Sequence, residues 1–166
     1  MKGDRLIGLN PMHHGERKIT MEIRKILWPT DLSENAARAL PYVTSTAEKY
    51  QAEIHILYVL KEYLEFGAAY GDTDPQADYE RMRQWEKETA EKRLDELCDK
   101  FLSSCPLFFR HIAVGDPAKK IIAFMEEIEP DIVIMASRGT ESHFDFGSVA
   151  ERVMKCAKAP VLIVPA

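Results

Sequence analysis

A strand, a glycine-bearing loop and the start of a helix follow one another in the last third of the sequence. An apolar run covers residues 131–135, a loop follows, and an amphipathic run covers residues 150–157. The first N–H groups of a helix have no partner inside the helix, and they point toward whatever fills the preceding loop. The sequence therefore predicts an anion-binding pocket, and phosphate is the anion that suits it best.

Polar residues end two of the expected strands. Thr30 and Asp31 end the first strand, and Ser137, Arg138 and Gly139 end the fourth. In an open α/β sheet, ligands bind beyond the carboxyl ends of the strands, at the point where the chain order reverses. If these two strands are neighbours, Asp31 and the Gly139 loop face one crevice. The alternative is that Asp31 only caps the first helix, since aspartate is a preferred capping residue.

Composition limits the class of protein to which the chain belongs. Its 166 residues are enough for one domain with a full core. The formal net charge of -5 argues against nucleic acid or an anionic membrane as the main partner. Three cysteines without CxxC spacing argue against a metal site or a disulfide framework, and they fit a reducing cytoplasm. No apolar run is long enough to span a bilayer.

The first twenty residues are basic but contain no apolar signal-peptide core. We expect residues 1–20 to form a poorly ordered leader and residues 21–166 to form the domain.

Apolar runs and helical periodicity alternate along that domain. Strands are expected over residues 24–30, 53–60, 107–114, 131–136 and 160–164. Helices are expected after Asp31, over 77–103, from Pro117 and over 148–158. We expect the first helix to bend at Pro41 without breaking, because its apolar stripe continues past the proline. A capping box of Ser148 and Glu151 would open the last helix.

One side of the long helix is predicted to be buried. The segment before that helix is predicted to cover either a ligand or the body of the domain. The buried side consists of Met82, Trp85, Leu94, Leu97 and Phe101. The irregular segment 61–77 is the longest loop, and long loops often act as lids. Its aromatic residues would either cover a ligand or pack the loop onto the body; they are Tyr63, Phe66 and Tyr70.

Strands that alternate with helices indicate an α/β fold with a parallel sheet, helices on both faces and right-handed crossovers. The near-continuous apolar strands at 132–135 and 161–164 agree with burial on both faces.

Sequence signatures of several enzyme classes are missing. The chain contains no G-x4-G-K-[ST] phosphate loop and no G-x-S-x-G nucleophile elbow. Asp31 and Arg138 alone do not define a reaction. We therefore expect no enzyme, and we expect any hydrolysis of a bound phosphate compound to be slow and incidental.

Five segments together resemble one known family. They cover residues 26–34, 114–117, 131–139, 147–148 and 160–164. The chain resembles the universal stress protein family over about residues 24–164. The resemblance implies a five-stranded parallel sheet of strand order 3-2-1-4-5, Rossmann-like and similar to the adenine nucleotide alpha hydrolases. It also implies a homodimer joined through the last strand, which is apolar and would otherwise expose unpaired backbone groups.

The ATP-binding branch of this family carries the motif G-x2-G-x9-G-[ST]. Here Ala136 replaces the first glycine, and seven residues instead of nine separate Gly139 from Gly147. Alanine is a mild change if the backbone at that position has a negative φ, and a serious one if the position needs a positive φ or a close approach of the ligand. The motif's final pair is kept as Gly147 and Ser148. The implied ligand is ATP, AMP or ADP, with or without Mg²⁺.

The resemblance assigns site residues one by one. Asp31 would lie near the adenine or ribose, and the backbone of Val59 would line the adenine pocket. The remaining implied contacts to ribose and phosphates come from Met135, Ala136, Gly139, Gly147, Ser148 and Val149. Alternatives remain for three of these residues. Ser148 could act only as a helix cap, and Val59 and Met135 could be ordinary core residues.

Five further residues could take part in chemistry. Arg138 could neutralise a phosphate or remain a solvated loop cation. His143 could contact a phosphate or simply be exposed. Asp145 would repel a phosphate unless it held Mg²⁺. His55 and His111 lie in expected strands and suit satisfied structural roles.

Two functions follow as hypotheses. The first is a cytoplasmic, dimeric stress-response protein that binds ATP or another adenine nucleotide as a regulatory ligand. The alternative is a dimeric interaction or signalling module of the same fold that binds no nucleotide.

Overall fold

The computed structural model describes residues 22–61, 75–101, 107–140 and 146–166. The expected leader at 1–20 and the loop aromatics Tyr63, Phe66 and Tyr70 lie outside these residues. Strands and helices alternate in the order β1 (Lys25–Thr30), α1 (Glu34–Ala37), α2 (Leu40–Tyr50), β2 (Glu53–Leu60), α3 (Pro75–Phe101), β3 (Phe108–Val114), α4 (Pro117–Ile128), β4 (Ile132–Ala136), α5 (Ser148–Cys156) and β5 (Val161–Val164).

The five strands form one parallel sheet of order β3-β2-β1-β4-β5. The α/β fold and the strand order implied by the resemblance are therefore confirmed. Chain order reverses between β1 and β4, which pair directly from Ile26 and Ile132 onward. The carboxyl ends of these two central strands thus lie side by side, which is the arrangement that the crevice hypothesis required.

Helices cover both faces of the sheet. Successive side chains of a strand point to opposite faces, so neighbouring residues of β1 enter different cores. Trp28 is fully buried in the core formed with α2 and α3, whereas Leu27 is buried with α4 and α5. In the described part of the chain, no helix is long and apolar enough to cross a membrane.

The first helix differs from the expectation of a bend at Pro41. It breaks: α1 ends at Ala37, and α2 begins at Leu40. Proline lacks an N–H, so it suits the first turn of a helix, where that group has no partner anyway. Pro41 accordingly lies in the first turn of α2.

Two of the five residues expected to be buried on α3 are exposed. Trp85 is 65% exposed, whereas Leu94 is 1% exposed. The two residues are nine positions apart, which is two and a half helical turns, so they lie on opposite sides of the helix. Phe101 is 45% exposed because it is the last residue of the helix, beyond the turns that cover the sheet. The prediction was wrong for both residues.

Two histidines occupy neighbouring strands on the face covered by α4. His55 Nδ1 lies 3.1 Å from His111 Nε2, and His55 Nε2 lies 3.2 Å from Glu53 Oε1. The two imidazole rings are stacked, and Phe124 of α4 packs against both of them. These histidines have the satisfied structural role that was expected of them.

Candidate functional site

Three segments meet at the carboxyl edge of the sheet. They are the turn after β1, the turn after β4 and the start of α5. Thr140 N donates to Asp31 Oδ2 at 2.8 Å, which joins the first two segments. Gly147 N donates to the carbonyl of Ser137 at 2.8 Å, which joins the last two. The structure therefore brings Asp31, Gly139 and Gly147 to one place.

Asp31 is held by hydrogen bonds from both sides. Its Oδ1 accepts from Ser33 N at 3.0 Å, and its Oδ2 accepts from the amide and the hydroxyl of Thr140. Burial tends to raise the pKa of this carboxyl, but the hydrogen bonds from Ser33 and Thr140 outweigh burial, and the pKa is lowered. Asp31 does not cap α1, because Ser33 Oγ accepts from Ala36 N at that helix start.

The turn that carries Asp31 has its own support. Leu32 adopts a left-handed backbone conformation with φ of 59°, which is unfavourable for a residue with a side chain. Its N–H donates to Thr30 Oγ1 at 3.1 Å, and its carbonyl accepts from Arg93 of α3 at 3.1 Å. These bonds hold the turn in a conformation that would otherwise be sparsely populated.

Little space is left for a side chain at positions 139 and 147. A side chain at Gly139 would overlap the carboxylate of Asp31. A Cβ at Gly147 would lie 3.2 Å from the Cα of Arg138, a backbone atom that cannot easily move. Ala136 is not among the positive-φ residues of the described chain, so the alanine that replaces the motif's first glycine fits its backbone without strain.

The start of α5 presents open backbone N–H groups. Gly147 is the N-cap residue, and among the described residues no side chain caps this helix. The expected capping box was wrong: Ser148 is the first helical residue, and the carboxylate of Glu151 pairs with Lys155 instead. The bond from Gly147 N to Ser137 fixes the cap one residue earlier than expected. Ser148 is exposed there, which leaves the positive end of the helix dipole accessible.

Arg138 lies in the turn after β4 and is half-buried. Its Nε is buried and has no hydrogen-bond partner among the described residues. A buried donor without a partner is costly, and a guanidinium forms its strongest hydrogen bonds with anions. The arginine is therefore not a fully solvated loop cation.

The remaining expected site residues belong to the core. Met135 and Ala136 are buried in β4, 6% and 7% exposed. Val59 of β2 and Val149 of α5 are partly buried and pack against the core on the α4 side. His143 and Asp145 lie outside the described residues. Among the residues that are described, no group of three His, Cys, Asp or Glu side chains could hold a metal ion.

Ser137 ties the loop to the end of the chain. Its N–H donates to Val164 of β5 at 2.8 Å, and its hydroxyl accepts from the N–H of Ala166 at 3.2 Å. The same residue accepts from Gly147 through its carbonyl. One residue thus contacts both the candidate pocket and the terminal strand.

Two residues of the site were missed at the level of sequence. Thr140 binds Asp31, and Asn35 Nδ2 donates to the carbonyl of Gly139 at 3.3 Å. The available signal was indirect: Thr140 directly follows the motif glycine, and Asn35 lies in the first turn of the helix after Asp31. Neither position belongs to the family motif as quoted above.

Known proteins are similar to this chain in sequence and in fold. Residues 22–165 match the model of the Universal stress protein family. Universal stress protein MJ0531 of Methanocaldococcus jannaschii is 27% identical over 143 residues, which cover 85% of this chain and 81% of that protein. Universal stress protein MJ0577 of the same organism is 29% identical, covering 85% of this chain and 94% of that protein.

Solved structures repeat the fold. The structure of MJ0577 superposes with a TM-score of 0.75 at 29% identity and covers 87% of this chain and 96% of its own. A universal stress protein family member from Arabidopsis thaliana, solved with AMP bound, has a TM-score of 0.60 at 19% identity, covering 85% and 90% of the two chains.

Proposed function

Because this chain belongs to the universal stress protein family, we propose that it binds an adenine nucleotide as a regulatory ligand at the carboxyl edge of its sheet. The nucleotide is ATP, AMP or ADP, and Mg²⁺ would accompany the phosphates. In this proposal the protein works in the cytoplasm as a stress-response homodimer, and it turns over ATP slowly or not at all.

The proposal is carried by two groups in adjacent segments that bear positive charge or partial positive charge and, within the described part of the chain, lack hydrogen-bond partners. The start of α5 has no side-chain cap, and the buried Nε of Arg138 has no partner among the described residues. The backbone of Arg138 packs closely against Gly147, the N-cap residue of α5. An anion would receive hydrogen bonds from open helix amides and charge from a guanidinium.

Each contact is proposed from the family resemblance and from the position of the residue in the fold. The N–H groups at Ser148 and Val149 would bind the phosphates beside Gly147, whose own N–H already donates to the carbonyl of Ser137. Gly139, Met135 and Ala136 would flank the ribose and the phosphates, with their side chains small or turned into the core.

The adenine end of the ligand would lie over β1 and β2. Asp31 would contact the adenine or ribose, and the backbone of Val59 would line the adenine pocket. The AMP bound to the Arabidopsis family member supports the choice of an adenine nucleotide.

Isothermal titration with ATP and Mg²⁺ tests the proposal, followed by titration with ADP and AMP. We expect saturable heat with one site per chain and a rise in melting temperature. An absence of both heat and thermal shift at millimolar nucleotide would reject it. Mass spectrometry of ligand released from the purified protein would identify which nucleotide the site retains.

The second candidate is an interaction module that binds no nucleotide. Two observations favour it. The Thr140 amide already donates a hydrogen bond to Asp31, and the loop is two residues shorter than in the family motif. Recovery of tightly held nucleotide from the purified protein would eliminate it. A catalytic role would be supported only by fast turnover of ATP that is lost in Asp31→Ala.

A further inference from the structure

The turn after β1 and the turn after β4 are bonded to each other across the mouth of the candidate pocket. Asp31 Oδ2 accepts from Thr140 N at 2.8 Å and from Thr140 Oγ1 at 3.2 Å. Asn35 Nδ2 donates to the carbonyl of Gly139 at 3.3 Å. We call these three hydrogen bonds, made by Asp31, Asn35, Gly139 and Thr140, the turn clasp.

The carboxylate in the clasp uses a backbone amide that an anionic ligand could otherwise use. It lies against Gly139 so closely that no side chain would fit there, and it accepts from an amide of the phosphate-side turn. A phosphate brought to the same amide would meet both a filled hydrogen-bond donor and a like charge. The protein's own aspartate therefore competes with the nucleotide for this part of the pocket.

Asp31 is also prevented from moving away freely. Its other oxygen accepts from Ser33 N, and the adjoining Leu32 is held by Thr30 and Arg93. The turn is thus built to present the carboxylate toward Thr140. The lowered pKa of Asp31 is consistent with this arrangement, because the charged form is the form that accepts these bonds.

We propose that the turn clasp is an autoinhibitory contact, and that Thr140 and Asn35 set the nucleotide affinity of the site by stabilising a closed state. Nucleotide binds after Asp31 has released the Thr140 amide, and Asp31 then turns to the ribose or adenine side. This inference rests on the proposed function, because it concerns the same site. The side chains of Thr140 and Asn35 do not contact the nucleotide in that proposal, whereas the released Thr140 amide becomes available to a phosphate.

The affinity cost follows from population arithmetic. If only a fraction of the molecules is open, the apparent dissociation constant is raised by the inverse of that fraction. A net intramolecular hydrogen bond changes such an equilibrium by about two- to tenfold. Removing both side-chain bonds of Asn35 and Thr140 should therefore tighten binding by roughly four- to a hundredfold.

The test uses the double variant Asn35→Ala, Thr140→Val in the full chain, titrated with ATP and Mg²⁺ by calorimetry. Valine keeps the amide of residue 140 but removes its hydroxyl. Thr46→Val is the matched control, because Thr46 Oγ1 likewise donates a hydrogen bond, in this case to the backbone carbonyl of Tyr42 on the exposed side of α2. We expect the double variant to bind more tightly than the native chain and the control to bind equally.

An affinity that is unchanged or weaker in the double variant overturns the clasp while leaving the proposed function standing. A ligand-free measurement separates the two proposals further. The Thr140 amide resonance should shift as pH falls, with a midpoint below the usual aspartate value, and this response should vanish in Asp31→Asn. If the resonance responds but neither the native chain nor the variant binds nucleotide, then the proposed function fails, and the gating role fails with it.

Discussion

Asp31 and Thr140 are 109 positions apart in sequence, yet the carboxylate of one accepts both the amide and the hydroxyl of the other. The contact exists because β1 and β4 are neighbours in the sheet and both end at the same edge. It decides how closely the turn after β4 approaches the turn after β1. It also explains why residue 139 has no side chain.

Gly139→Ala should destabilise the fold through a clash with Asp31. The backbone at Gly139 does not have a positive φ, so the expected loss of about 1–3 kcal/mol in the free energy of unfolding is purely steric. In an Asp31→Ala background the same substitution should be neutral or stabilising, because alanine restricts the unfolded chain. Urea unfolding of all four proteins measures this coupling. Equal effects of Gly139→Ala in both backgrounds would contradict the geometry.

Arg138→Gln should weaken nucleotide binding by about tenfold without unfolding the protein. Glutamine keeps a polar side chain of moderate length but removes the charge that we expect to face the phosphates. Arg24→Gln is the control, because Arg24 is exposed and pairs with Glu22 just before β1. Titration calorimetry compares the two variants. If Arg24→Gln weakened binding as much as Arg138→Gln, the effect would reflect general charge and not the pocket.

Stability should fall as the pH is lowered through the range in which histidine titrates. Burial, and then repulsion by His55, lower the pKa of His111, although Glu127 opposes them. The unfolded chain, with a histidine pKa of about 6.5, then binds more protons than the native state. The contribution is complete above that value and is lost as pH falls toward the lower native pKa.

His111→Gln should flatten this pH dependence, as measured by urea unfolding at several pH values between about 5 and 8. Gln51→Asn, a surface change at the end of α2, provides the control and should keep the native slope. A slope that persists in His111→Gln would assign the proton uptake to other groups.

Leu162→Lys should shift the proposed homodimer to monomer. Leu162 is 38% exposed on β5, the edge strand at one side of the sheet. A lysine on an edge strand discourages pairing with a second chain. Tyr42→Lys is the control, because Tyr42 is 51% exposed on α2. Light scattering at micromolar concentration reads out the mass, and a monomeric native chain would refute the dimer.

Local sequence patterns were sufficient to predict the strands and their alternation with helices. A strand that is buried on both faces of the sheet has apolar residues at nearly every position, as in the run from Ile132 onward. Such a run is easy to recognise in the sequence. The strand order came from the resemblance to a family, because periodicity alone does not say which strands pair. Pro41 was misjudged because the same residue is compatible with a bend or with a new helix start.

The candidate site was only partly accessible from sequence. Its residues could be located, since motif glycines and Asp31 follow strand ends. The bond from Asp31 to Thr140 could not be foreseen, because it depends on how two distant turns fold toward each other. The failed capping box has a related cause: the bond from Gly147 to Ser137 depends on how the intervening loop folds back, and it overrode a local preference of Ser148.

Ser137 is hydrogen-bonded both to the start of α5 and to the terminal strand. Its carbonyl holds Gly147, its N–H holds Val164, and its hydroxyl holds Ala166. A ligand that displaces the turn after β4 would therefore strain the edge along which a second subunit would align. Thermodynamic reciprocity then requires that assembly alter ligand affinity by the same factor by which ligand alters assembly.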